Sequence, residues 1–141
     1  MSKNPILKNS KLIINKKGNL KKLLNKKSIF YKSFGELYST SIKHNMIKGW
    51  KLHKSMVSNI FLISGKVKFV FVIANKKNIV FEEFSLDEKR KNHIFIPSNI
   101  FYGFKGLSKS TSIMINLSST LHSDKELINK KLDYFDYKWK K

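Results

Sequence analysis

The chain has 141 residues, enough for one domain with its own core. Its content of 41% hydrophobic and 13% aromatic residues excludes an intrinsically disordered chain, and the absence of cysteine excludes disulfides and thiolate metal sites. A formal net charge of +20 points toward anionic partners, yet Arg90 is the only arginine, and arginine is the residue best suited to reading bases and gripping phosphates in a fork, so nucleic acid is an unfavoured partner and a small anionic ligand fits the charge equally well.

The first segment, MSKNPILKNSKLIINKKG, lacks the continuous apolar stretch of a secretory signal. No apolar run anywhere approaches the roughly 18 residues of a membrane span. With the missing cysteines, this suits a cytoplasmic protein with no membrane partner. Leu12, Ile13, Ile14, Leu20, Leu23 and Leu24 give the lysine-rich start something to bury, so it belongs to a single domain over 1–141. Residues 19–27, NLKKLLNKK, suit a short helix. Next, Lys48-Gly49-Trp50 forms a turn, and His53 follows two residues after Lys51.

From there the pattern has period two. NIFLISG (59–65) and KVKFVFVIA (66–74) are strands joined at Gly65-Lys66. Val67, Phe69, Phe71 and Ile73 share one face of the second strand, and Phe and Val occupy part of the other, so both faces should be covered. NIVFEEF (78–84), HIFIP (93–97) and STSIMINLS (110–118) continue the series, with turn signals at 75–78, 97–99, Gly103 and Gly106. Ser123 and Glu126 have the spacing of a capping box, which predicts a second helix over 123–132. Many short strands at this spacing, with few helices, predict an all-β sandwich or barrel. His44, His93 and His122 carry no motif and read as surface residues.

His53 raises the question of a metal. In cupins, ligands stand at a His-x-His pair, a following glutamate and a later histidine. The corresponding places here are Lys51, His53, Ser58 and Tyr102. One ligand of four is a poor grip for a divalent ion, so no metal is expected.

Five segments in order carry a closer likeness: NKKGNLKKLL (15–24), FGELYSTSI (34–42), IKGWKLHKSMVSNIFLISGKVKFVFV (47–72), IFIPSNIFYGFKGLS (94–108) and YKW (137–139). The chain resembles the dTDP-4-dehydrorhamnose 3,5-epimerases and their sugar 3,4-ketoisomerase relatives, a metal-free branch of the cupins. The resemblance implies an antiparallel cupin barrel (jelly roll, double-stranded β-helix), no cofactor, a homodimer paired through N-terminal strands, and a nucleotide-linked 4-keto sugar as substrate. Such chemistry needs a base for a proton beside the ketone, a donor for the enolate oxygen, and cations for the diphosphate.

Position by position, the resemblance implies a catalytic set of His53, Lys51, Tyr38 and Tyr102. His53 matches the second histidine of the ketoisomerase pair, and Lys51 stands where the epimerases place their base. Tyr38 resembles a strand tyrosine of the ketoisomerases, Tyr102 replaces the second-motif histidine, and Ile115 falls about where the epimerases carry their tyrosine acid. Lys17 and Lys48 stand for phosphate-binding arginines, Trp50 for an aromatic beside the base, and Asp133 or Asp136 for the carboxylate partnering the base. An ordinary structural role is open to each: His53 as a polar strand-edge residue, Lys51 as a solvated lysine, Tyr38 and Tyr102 as rim residues, Trp50 and Trp139 as barrel packing. Three readings therefore stand together: an enolising epimerase or ketoisomerase, a non-catalytic sugar-nucleotide-binding cupin, and a basic nucleic-acid-binding β-domain. Convergence of His53, Tyr38 and Tyr102 on one pocket would favour the first.

Overall fold

The computed structural model describes residues 1–140 as an all-β protein, and no helix occurs among the described residues. The strands are β1 (Ile6–Lys8), β2 (Lys11–Ile13), β3 (Leu20–Lys22), β4 (Glu36–Ile42), β5 (Ile47–His53), β6 (Ser58–Ser64), β7 (Lys66–Ala74), β8 (Ile79–Asp87), β9 (His93–Ile96), β10 (Phe101–Gly106), β11 (Ser112–Ser118) and β12 (Leu127–Asn129). Two five-stranded antiparallel sheets, β1-β9-β6-β11-β4 and β12-β5-β10-β7-β8, enclose the main core, and β2 and β3 form a separate hairpin. Few of the neighbouring strands are consecutive in sequence, as a jelly roll requires.

Period two explains the core. Val67, Phe69 and Phe71 of β7 are fully buried between the sheets, with Ile73 packed against them, as the sequence predicts. They meet Ile60 and Leu62 of β6, Ile94 and Ile96 of β9, Tyr102 and Phe104 of β10, and Met114 of β11. Burying each such side chain contributes on the order of 2 kcal/mol. The other face of β7 is covered too. There Val70 and Val72 join Trp50 under Phe135, Tyr137 and Trp139 of the C-terminal strap, residues 130–140.

Both expected helices are strands or turns instead. Residues 15–18 turn tightly, with Gly18 N–H donating to Asn15 O at 3.1 Å and Gly18 at φ +140°, a conformation that favours glycine. That turn sends 20–22 back along 11–13 as a hairpin. In 123–132, the Glu126 carboxylate accepts hydrogen bonds from the Ser55 and Met56 amides rather than from its own helix terminus, and 127–129 pair with β5 as an edge strand. Further expectations are corrected. Lys48-Gly49-Trp50 is no turn but part of β5, and Gly103 lies inside β10, which ends at Gly106 before the loop to β11. At Gly103 a Cβ would stand 3.2 Å from Lys48 O and 3.1 Å from the Trp139 ring, so close packing, not turning, requires the glycine. His93 is buried, whereas Leu12, Ile13, Ile14 and Leu20 of the hairpin are exposed.

Candidate active site

The site forms where β5 breaks its alternation. Opposite β10, Lys51 pairs with Tyr102 and Lys48 with Phe104, so three steps on β5 match two on β10. This bulge puts Lys48 and Lys51 on the same inner face and turns Trp50 outward. Gly49, at φ +147°, absorbs the distortion, and a Cβ there would stand 2.6 Å from Gly103 Cα.

Lys48 and Lys51 then face a cavity of about 130 Å³ between the sheets. Its other walls are Tyr38 and Thr40 of β4, Ile60 of β6, Tyr102 and Phe104 of β10, and Met114 and Asn116 of β11. His53 stacks on the wall residue Tyr102, with ring centroids 6.4 Å apart. Four of the sequence-predicted residues, Tyr38, Lys48, Lys51 and Tyr102, thus meet around one space, with His53 against its wall.

His53 Nδ1 lies 2.7 Å from Glu126 Oε2. Burial disfavours charge on Glu126, but the Met56 and Ser55 amides and His53 outweigh it and hold the carboxyl below its usual range. An ionised carboxylate only accepts, so the bonded Nδ1 carries the hydrogen and the neutral ring keeps Nε2 free to take a proton. The contact fixes the orientation of the His53 ring.

The other groups are biased by burial. It lowers the Lys51 pKa, with the Lys48 charge adding to the effect. It raises that of Tyr38, against a hydrogen bond from Asn116. Burial also raises Tyr102 well above the usual phenol range, with Tyr38 and Glu126 contributing, so Tyr102 stays a neutral donor. Lys48 Nζ donates to Ser41 O at 3.0 Å and remains exposed.

The remaining candidates lie elsewhere. Trp50 is fully buried in the outer core, where its Nε1 donates to Leu132 O at 3.0 Å, so it is not a wall of the cavity. Lys17 is exposed in the β2–β3 turn and does not line the cavity. Asp133 and Asp136 are exposed on the strap, and the carboxylate that reaches His53 is Glu126. Among the described residues, no group of three His, Cys, Asp or Glu side chains is placed to hold a metal ion.

Sequence reasoning missed Glu126 and Asn116. Nothing local marks Glu126, which pairs with His53 across 73 positions. Asn116 was readable: it stands two places after the core residue Met114, so strand alternation points it inward and Ile115 outward.

Residues 3–139 match the family described as FdtA: WxcM-like, C-terminal, and the chain belongs to that family. No curated protein matches it. Among solved structures, a dTDP sugar isomerase from Desulfovibrio desulfuricans G20 superposes with a TM-score of 0.85 at 20% identity, covering 94% of this chain and 87% of that one. A dTDP-4-dehydrorhamnose 3,5-epimerase from Sulfolobus tokodaii gives 0.81 at 17%, covering 99% and 84%. QdtA, a sugar 3,4-ketoisomerase from Thermoanaerobacterium thermosaccharolyticum in complex with TDP, gives 0.75 at 18%, covering 91% and 89%. The cupin-type fold implied by the five motifs is therefore the fold of this chain.

Proposed function

We propose that this member of the WxcM-like, C-terminal family is an isomerase of nucleotide-linked 4-keto sugars, acting by enolisation as an epimerase or a 3,4-ketoisomerase. The observation that supports this best is the cavity lined by Lys51, Tyr38 and Tyr102, with the His53–Glu126 pair behind Tyr102. Of the three solved structures compared above, one is in complex with TDP and the other two are named for dTDP-sugar reactions. The cavity of about 130 Å³ suits the reacting sugar ring, with the nucleoside diphosphate outside it near exposed Lys48.

In this reading, His53 Nε2 removes a proton from the carbon beside the ketone. The C–H electron pair forms the enolate double bond, and the carbonyl pair moves onto oxygen, where Lys51 and a tyrosine hydroxyl stabilise it. Return of a proton to the opposite face of that carbon inverts it. Return to the old carbonyl carbon, with the neighbouring hydroxyl's proton passed to the enolate oxygen, moves the ketone instead. Either way, protons taken equal protons returned, and no redox partner is needed.

The test is incubation with a panel of dTDP- and other nucleotide-linked 4-keto sugars in heavy water, with product analysis. Deuterium in the sugar carbon frame is expected. Nucleotide-sugar binding without any exchange would instead favour a non-catalytic binding cupin. We also propose a homodimer that buries the exposed Leu12, Ile13, Ile14 and Leu20. Light scattering that returns 16.5 kDa at micromolar concentration would refute it.

A further inference from the structure

Asn116 has a half-used amide. It is directly paired with Tyr38 across the β11–β4 ladder, and its Nδ2 donates to the Tyr38 hydroxyl oxygen at 2.6 Å. Its Oδ1 is buried with no partner. Four buried side-chain polar atoms share that condition among the described residues: Ser58 Oγ, Asn116 Oδ1, Thr120 Oγ1 and Trp139 Nε1. Asn116 alone of these residues lines the cavity. A buried acceptor without a donor is costly, and such exceptions need a reason.

We propose that Asn116 is a positioning residue of the site, one that turns Tyr38 into a hydrogen-bond donor toward the substrate while its own Oδ1 receives a hydroxyl proton of the sugar. The inference rests on the isomerase reading above and deepens it. The Tyr38 oxygen already accepts from Asn116, so its O–H is directed away from the amide and toward the cavity. A phenol donor there bonds the ketone oxygen, and the bond strengthens as that oxygen becomes an enolate. The free Oδ1 selects for a sugar that presents a hydroxyl beside the reacting carbons and disfavours the deoxy analogue. The hydrogen bond from Asn116 lowers the Tyr38 pKa against burial, which raises it.

The charged and titratable groups around Asn116 are Tyr38 and Glu36 of β4, Lys48 and Lys51 of β5, and Tyr102 of β10. The isosteric variant Asn116→Asp reverses the pair, because an ionised carboxylate accepts the Tyr38 O–H and leaves no donor for the sugar. Its kcat is expected to fall by about 10²-fold with little change in KM. The ratio of its rate to wild type should climb as pH falls and the carboxyl regains a proton. Asn116→Leu keeps the Tyr38 hydroxyl free, so its loss is expected to be smaller and to include a higher KM. Independently of any substrate, ¹³C-tyrosine NMR should show Tyr38 ionising at higher pH in Asn116→Leu than in wild type, with Asn116→Ala as the replacement if the leucine variant fails to fold. Equal losses in the Asp and Leu variants at every pH, or an unmoved Tyr38 titration, would overturn the proposal. A wild type that turns over no keto sugar refutes the isomerase reading instead, and the Tyr38 titration still decides the pairing.

Discussion

Two buried histidines sit on opposite kinds of surface. His53 lies behind Tyr102, a wall of the cavity between the sheets, and is held at Nδ1 by the Glu126 carboxylate. His93 lies on the outer side of the first sheet, where Asn59 Oδ1 meets its Nε2 at 2.9 Å and Phe61 stacks on it at 4.3 Å. Asn59 is itself anchored by Phe30 O, and Phe30 covers His93 edge-on. The Glu126 carboxylate faces His53 with a negative charge. The amide and the phenyl rings bring no such charge to His93, so burial, with the Lys8 charge adding to it, takes the His93 pKa down to about 4. Both rings are buried, so what separates the two histidines is the partner, a carboxylate for His53 and an amide for His93.

The largest test of this contrast is His53→Ala. It should cut deuterium exchange into the keto sugar by about 10²–10⁴-fold while leaving nucleotide binding near wild type. Lys51→Ala should weaken exchange by roughly 10²-fold and also weaken nucleotide binding. If Lys51→Ala alone abolishes exchange, the two roles are reversed. Glu126→Gln should lower exchange by on the order of tenfold, because the amide still accepts from Nδ1 but no longer stabilises the imidazolium.

His93→Gln should leave exchange unchanged and alter stability instead. The folded pKa of His93 lies below its unfolded value, so the unfolded chain binds more protons in the window from 6.5 to about 4. Its contribution is complete above the unfolded value and is lost as pH falls through the folded one. Over that window it amounts to on the order of 3 kcal/mol. Melting temperatures across this range should fall less steeply for His93→Gln than for wild type. Identical pH profiles would remove His93 from the account.

The strands were legible wherever burial follows period two. β7 shows this most clearly, since Val67, Phe69 and Phe71 face one core and Val70 and Val72 the other. The helices over 19–27 and 123–132 were misread because their deciding interactions are not periodic. One is the glycine turn at Gly18, and the other is a carboxylate committed to the Ser55 and Met56 amides. His93 was misplaced because its cover, Phe30, comes from a loop 63 positions away in the chain. Within the site, the inward Tyr38, Lys51 and Tyr102 were readable from motif order. The bulge that turns Trp50 away was not, because its sequence mark, Gly49, reads as well as a turn.

The strap has an optical consequence. The chain has two tryptophans, Trp50 and Trp139, and both lie in the outer aromatic cluster with ring centroids 5.3 Å apart. Neither lines the cavity. Tryptophan emission therefore reports the docking of the last residues onto the sheet and stays nearly blind to a sugar entering the barrel. A fluorescence melt would follow the peeling of the strap, and the tyrosines of the cavity would need a separate probe.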